Sequence, residues 1–262
     1  MTVRLRMIKA ARTNSALVYR GPSALDGAPI VGIISGLISG SANSKTGSML
    51  QLWLLPDTSE APHVAQRNGD DASVCGSCPL RPGAIKHARE TGRGYGSYKS
   101  EKACYVKTWQ APRSLHAALQ RGTIANDPAA GFAAAVRAAR GRSLRLGAFG
   151  DPAALPQSSG IIQTLVRAAR LHTAYTHQWR DSKHTWLRPF AMASVETELE
   201  HWQAKRQGWR TFHADGSPNG EPLARNQVAC PATTEHAVQC ADCMLCGGAS
   251  VRARDVWLRT HN

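Results

Sequence analysis

Short apolar runs and longer amphipathic stretches alternate along the chain, and their periods predict strands and helices in turn. Residues 29–34 and 49–55 are short, apolar and partly β-branched, the signature of buried strands. The longest apolar stretch, 28–38, is broken by Gly32 and Gly36 and is too short to span a bilayer. From Gly131 the pattern becomes regular. It predicts a helix over 132–140 with Arg137, Arg140 and Arg142 at its basic end, and a strand over 144–149. An amphipathic helix follows over 161–171, with Ile161, Leu165, Ala168 and Ala169 on one side. Strands over 173–179 and 190–195, a helix over 196–207 and a strand over 209–213 complete the series. Strand–helix–strand alternation at this spacing predicts parallel βα units.

The expected fold is therefore α/β: a parallel βα barrel, whole or partial, with an irregular Cys-bearing insertion and a Cys-rich C-terminal segment. Residues 1–27 read as an arm leading to a turn at Gly21-Pro22. Residues 28–229 read as the barrel-like domain with a metal-binding loop over 56–104, and 230–262 as a cluster-binding segment. Residues 56–103 show no period, and so long an irregular loop needs a function or a metal to organise it. No internal repeat is present, which argues against a solenoid.

Composition adds a partner. Thirty-two Lys and Arg against 18 Asp and Glu give a net charge of +14, which draws polyanions by counterion release. Nucleic acid or a nucleotide is the expected partner. The basic N-terminus lacks the apolar run of a secretory signal, so a cytoplasmic protein with no membrane partner is expected. A reducing compartment disfavours disulfides, and seven cysteines cannot all pair.

Those cysteines form two groups. Cys230, Cys240, Cys243 and Cys246 follow a C-x9-C-x2-C-x2-C spacing, with Pro231 after the first and Gly247-Gly248 after the last. Such a tight run suits a [4Fe-4S] cluster, whereas structural zinc more often uses two separate knuckles. Cys75 and Cys78, with Pro79 following, and the more distant Cys104 make a group of three. Three thiolates leave one iron of a cluster open; a zinc site needs a fourth ligand, for which His63, His87 and His116 are candidates.

Other candidate chemistry clusters at predicted strand ends. Gly150-Asp151-Pro152 ends the 144–149 strand, where parallel βα folds carry ligands. Asp151 there can orient a cofactor or substrate; the plainer role is a cap on the next helix. Tyr175 and His177 share one face of the next strand and can serve as acid/base groups, although a lone strand histidine is commonly hydrogen-bonded core. Lys107 and Trp109, just after Cys104, suit a phosphate and a ring. The stretch 89–102, basic with Tyr95 and Tyr98, suits phosphate contact with base stacking and equally a solvated loop. The Gly/Ser-rich loop around SANSKTG fails the phosphate-loop pattern at Ser39 and Ser44, leaving Asn43 and Lys45 as candidate ligand contacts. No Ser/His/Asp set, HExxH motif or convincing carboxylate pair is present.

The runs GPSALDGAPIVGI, SANSKTG, VCGSCP, ACYV, LRLGAFGDPA, AYTHQW and CADCMLC resemble an uncharacterised family of cysteine-rich bacteriophage proteins, from about Gly21 to Gly248. The resemblance implies the cytoplasm of an infected bacterium. A more distant likeness is to radical S-adenosylmethionine enzymes, partial βα barrels with a three-cysteine cluster loop. In them a Gly-Gly-Glu-Pro element holds the amino group of the cofactor, and Phe149-Gly150-Asp151-Pro152 is similar to it. The likeness implies an open cluster on Cys75, Cys78 and Cys104, S-adenosylmethionine at Gly150 and Asp151, and an auxiliary cluster on the C-terminal four. The usual loop is C-x3-C-x2-C, whereas here three cysteines span thirty positions. The expected function is an iron–sulfur enzyme acting on nucleic acid or nucleotides, such as a DNA-modifying enzyme. The alternative is a non-catalytic nucleic-acid-binding protein stapled by zinc or clusters, interfering with host processes.

Overall fold

The computed structural model describes residues 13–40, 43–91, 104–215, 221–234, 237–243 and 245–259. The tyrosine-bearing stretch 89–102, with Tyr95 and Tyr98, lies largely outside them.

The fold is mixed α/β, with two mostly parallel sheets. The first holds β1 (Ser15–Pro22), β2 (Pro29–Ser35), β3 (Leu50–Pro56), β4 (Ser143–Phe149) and β5 (Leu171–Thr173) in that spatial order. The second holds β6 (Tyr175–Thr176), β7 (Met192–Ser194), β8 (Thr211–Asp215), β9 (Gln227–Ala229) and β10 (Asp255–Arg259), in the order β6-β7-β8-β10-β9. Only Ala174 separates β5 from β6 in the chain.

The second sheet is parallel throughout, as are the β3–β4 and β4–β5 pairs. The β1–β2 and β2–β3 pairs are antiparallel, which differs from the expected all-parallel order. For β1–β2 the reason is connection length: a parallel return needs a crossover of about a dozen residues or more. Between β1 and β2 the chain instead turns tightly, with Ser23 N donating to Ala28 O at 2.8 Å. The expected N-terminal arm is thus partly a strand, anchored by buried Ala16, Leu17 and Val18.

The expected irregular loop contains three helices, α1 (Pro62–Asn68), α2 (Ala72–Cys75) and α3 (Pro82–Thr91), two of them opened by proline. A further helix not expected from periodicity, α4 (Ala111–Gln120), also begins beside a proline. Next, α5 (Pro128–Ala139) starts earlier than expected because Asp127 caps it, accepting from Ala129 N at 2.9 Å and Ala130 N at 3.2 Å. Helix α6 (Ile161–Ala168) stops short of residue 171 because Leu171 opens β5. The expected 173–179 strand is interrupted at Ala174 and passes into a 3-10 turn at Gln178–Arg180. Helix α7 (Glu198–Arg206) is capped by Thr197.

The core is centred on β2 and β3, where Ile30, Val31, Ile33, Ile34, Leu50, Leu52, Leu54 and Leu55 are fully buried. Each such side chain contributes about 1.5–3 kcal/mol by leaving water. The Cys-rich C-terminal segment is not a separate appendage. Its last strand, β10, lies between β8 and β9, and buried Asp255 accepts from Thr211 N at 2.9 Å and Asn226 Nδ2 at 3.1 Å.

Candidate metal centre

The three-cysteine group is assembled by a short, heavily braced loop. Cys75 ends α2, and Cys78 N donates to Cys75 O at 3.2 Å. Arg81 reaches under the loop: its guanidinium donates to Gly76 O at 2.9 Å, to Gly69 O at 2.9 Å and to Asp71 Oδ1 at 2.6 Å. The Gln178 side chain clips the loop from β6's end, donating to Cys75 O at 3.2 Å and accepting from the Ser77 hydroxyl at 3.0 Å. Cys104 joins from the other side of the sequence. It hydrogen-bonds Gln66 of α1, and the neighbouring Thr108 hydroxyl donates to Gln66 Oε1 at 3.1 Å. Cys75, Cys78 and Cys104 interact electrostatically with one another. Burial pushes the Cys75 thiol well up, and like charge from Cys78 adds to it. Burial likewise takes Cys104 to about 11. Free thiols of this kind stay protonated at neutral pH, and a thiophilic cation would displace the proton.

Asp151 sits at the strand end expected for it, and both its oxygens are in use. Oδ1 accepts from Ala153 N at 2.9 Å, capping the 3-10 turn Pro152–Ala154. Oδ2 accepts from His177 N at 2.8 Å, Thr176 Oγ1 at 3.1 Å and Gln178 Nε2 at 3.4 Å. Its own N–H donates to Val74 O at 2.6 Å. One buried carboxylate thus ties the end of β4 to the end of β6 and to α2. Gly150 has a packing role: at φ +80 it places its Cα so that a Cβ would lie 2.7 Å from Leu54 Cβ. His177 hydrogen-bonds Cys78, and its Nε2 lies 3.0 Å from Glu196 Oε1.

The four-cysteine group lies at the other end of β4. Cys246 interacts with Cys230, Cys240 and Cys243 and hydrogen-bonds the Tyr175 hydroxyl; burial pushes the Cys246 thiol up to about 12. The Tyr175 ring packs on Phe212 with centroids 4.3 Å apart. Ser143 at the start of β4 donates to Ala241 O at 2.6 Å, and Arg170 donates to the same oxygen at 2.9 Å. Arg210 donates to Leu245 O at 2.6 Å. Residues 43–47 pack over this group: Cys240 N donates to Lys45 O at 2.8 Å and Gln239 Nε2 to Ser44 O at 3.1 Å. Asn43 shapes the loop, its Oδ1 accepting from Lys45 N at 3.0 Å and Thr46 N at 3.1 Å. The Lys45 ammonium is an electrostatic partner of Cys230 and Cys240.

Between the two groups stands Arg145, on the face of β4 opposite Leu144 and Leu146. It interacts electrostatically with Tyr175 and Cys240 on one side and Tyr105 on the other. Arg145, Arg81, Gln178, Gln66 and Glu196 carry no sequence motif; only their proximity in the fold exposes them.

All seven cysteines are free thiols. Among the described residues, no set of three or more His, Cys, Asp or Glu side chains is closed into a group able to hold a metal ion as it stands. Thiols are donors of the kind that zinc and iron–sulfur clusters take. Of the expected fourth ligands, His116 is committed elsewhere, its Nε2 2.9 Å from Thr58 O. His63 lies on α1, one turn before Gln66, with its Nδ1 buried and unpartnered. His87 lies on α3. Lys107 is exposed, and Trp109 is 60% exposed beside Arg113, Ser114, Ala117 and Arg121, which together line a surface groove of about 420 Å3. A larger depression of about 660 Å3, bordered by Pro156, Lys183 and Trp186, lies apart from both cysteine groups.

No protein family, curated protein or solved structure matches the chain. Among the described residues no helix is long and apolar enough to cross a membrane.

Proposed function

We propose that this is a metal-centred nucleic-acid-binding protein, with a [4Fe-4S] cluster on Cys230, Cys240, Cys243 and Cys246 and a second thiolate centre on Cys75, Cys78 and Cys104. The observation that carries the reading is the gathering of all seven cysteines into two groups at opposite ends of one strand, one braced by the partly buried Arg81 and the other by the buried Arg210. The two groups lie more than 100 residues apart in the sequence, so the pairing of groups through β4 is a property of the fold. A metal in each group would tie the C-terminal segment and the α1–α3 region to the sheets, which is how structural sites contribute folding energy. The two sheets, continuous through Ala174, would be arcs of one incomplete barrel.

The nucleic-acid half of the reading is supported by the net charge of +14 and by the groove in which exposed Trp109 adjoins Arg113 and Arg121. An aromatic face beside guanidinium groups suits a base and its phosphates without sequence preference. The binding version is preferred to a radical S-adenosylmethionine enzyme because Asp151, the residue that would hold the cofactor's amino group, already accepts four hydrogen bonds within the protein. The resemblance to bacteriophage proteins adds the setting, an infected bacterial cytoplasm.

Anaerobic purification followed by iron, sulfide and zinc analysis tests the metal half. A broad visible absorption with iron and sulfide supports the cluster; stoichiometric zinc in both groups replaces it with a zinc protein; absence of any metal refutes the reading. Binding of a labelled oligonucleotide across a salt series tests the other half, with affinity falling steeply as salt rises. Adding S-adenosylmethionine and reductant separates the catalytic alternative: release of 5′-deoxyadenosine would overturn the binding version.

A further inference from the structure

The histidine at the three-cysteine group is held in an unusual way. Its imidazole is nearly buried, at 14% side-chain exposure, and its Nε2 lies 3.0 Å from Glu196 Oε1, itself 8% exposed. A carboxylate can only accept from the ring, so Nε2 carries a hydrogen toward Glu196, and Nδ1 is the nitrogen left for another partner. The ring's other hydrogen-bonding partner is Cys78. His177 is also fixed at its backbone, where its N–H donates to Asp151 Oδ2 at 2.8 Å.

Glu196 is fixed in turn. Its N–H donates to Glu200 Oε2 at 2.7 Å, and Glu200 pairs with Arg180. The Arg180 guanidinium lies 4.2 Å from the Trp179 ring centre, and Trp179 Nε1 donates to Ser194 O at 2.8 Å. This support runs from the sheet through Trp179, Arg180, Glu200 and Glu196 to one imidazole nitrogen. A histidine needed only for packing has no use for a ring held so firmly. A ligand histidine does, since a carboxylate on one nitrogen orients the ring and raises the basicity of the other.

We infer that His177 is the fourth protein ligand of the Cys75, Cys78 and Cys104 group, binding through Nδ1, with Glu196 as the positioning residue that holds its ring. The inference rests on the metal reading of those cysteines and deepens it. Three thiolates and one imidazole satisfy a tetrahedral zinc ion, or supply all four protein ligands of a cubane, so the centre has no position open to a cofactor. The sequence spacing of three cysteines points to an open centre; the fold supplies the missing donor from ninety-nine positions after Cys78.

The test uses the full chain, prepared anaerobically and loaded with zinc as the probe. Zinc stoichiometry, affinity against a competing chelator and X-ray absorption are compared among wild type, His177→Ala, His177→Cys, Glu196→Gln and His63→Ala. The wild type should show a metal–nitrogen shell at about 2.0–2.1 Å beside sulfur at about 2.3 Å. His177→Ala should lose one zinc equivalent or weaken it by roughly a hundredfold, while His177→Cys retains it with the nitrogen shell gone. Glu196→Gln should keep the stoichiometry and weaken binding by about 10–100-fold. The inference is overturned if His177→Ala keeps both equivalents and the nitrogen shell, or if His63→Ala removes that shell instead. Either result leaves the metal reading standing. Wild type that takes up no zinc or iron, with Cys78 alkylated at a rate set by His177 and Glu196, overturns both, because the three residues would then be a nucleophile, its base and the residue orienting that base.

Discussion

Replacing Asp151 should destabilise the protein severely, and by an amount the hydrogen bonds set. The carboxylate is 7% exposed and accepts from two backbone N–H groups, Ala153 at 2.9 Å and His177 at 2.8 Å, and from Thr176 Oγ1 at 3.1 Å. The Thr176 hydroxyl can turn and the Gln178 amide is already shared with Cys75 O, so their loss is partly recovered. The two backbone donors cannot move without moving β6 and the 3-10 turn. Each stranded donor costs about 1–3 kcal/mol, and a hydrogen bond to a charged acceptor contributes about 1.5–3 kcal/mol. Asp151→Ala should therefore lose about 3–6 kcal/mol. Asp151→Asn keeps one acceptor but turns an NH2 toward the other backbone donor, and should lose about 2–4 kcal/mol. Urea unfolding followed by tryptophan fluorescence measures this; at a slope of about 3 kcal/mol/M, Asp151→Asn should lower the midpoint by about 1 M. An Asp151→Asn midpoint within about 0.2 M of wild type would refute the reasoning and return the carboxylate to the role of a free ligand group.

Four further substitutions act on named contacts. Gly131→Ala would set a Cβ 1.9 Å from Leu17 O, where α5 crosses β1, and should cost about 3 kcal/mol or more in the same urea assay. Arg81→Met strands the buried Asp71 carboxylate, which should cost about 3–5 kcal/mol and lower metal retention by the three-cysteine group, read by metal analysis after gel filtration. Trp109→Ala should weaken binding of a labelled poly-dT oligonucleotide by the roughly 1–3 kcal/mol of one stacked base, and Arg113→Glu should flatten its salt dependence, in fluorescence anisotropy.

The sequence was most legible where hydrophobic period and chain length agreed. β2, β3 and β4 are read within a residue or so because each is rich in apolar residues, with β2 and β3 buried along nearly their whole length. The strand expected over 173–179 was harder: it passes from one sheet to the other at Ala174, and a change of sheet leaves no mark in period. The helices of the 56–103 region are too short for periodicity, although Pro62 and Pro82 announce two of their starts. The spacing of the cysteines separates them into the same two groups that the fold keeps apart, and the end of β4 places Asp151 where it was expected. What could not be read was which partner each would meet. Glu196 lies nineteen positions from His177, and Gln178 reaches Cys75 from 103 positions away. Arg145 looks like any charged residue in an alternating strand until β4 is placed between the two groups.

The central claim, two thiolate metal centres at opposite ends of β4, is tested most directly by native mass spectrometry of anaerobically prepared protein. Two separate mass increments are expected, one lost in a Cys240→Ser/Cys243→Ser variant and the other in a Cys75→Ser/Cys78→Ser variant. A wild-type mass equal to that of the bare chain, under conditions that preserve metal in a control thiolate protein, would contradict it.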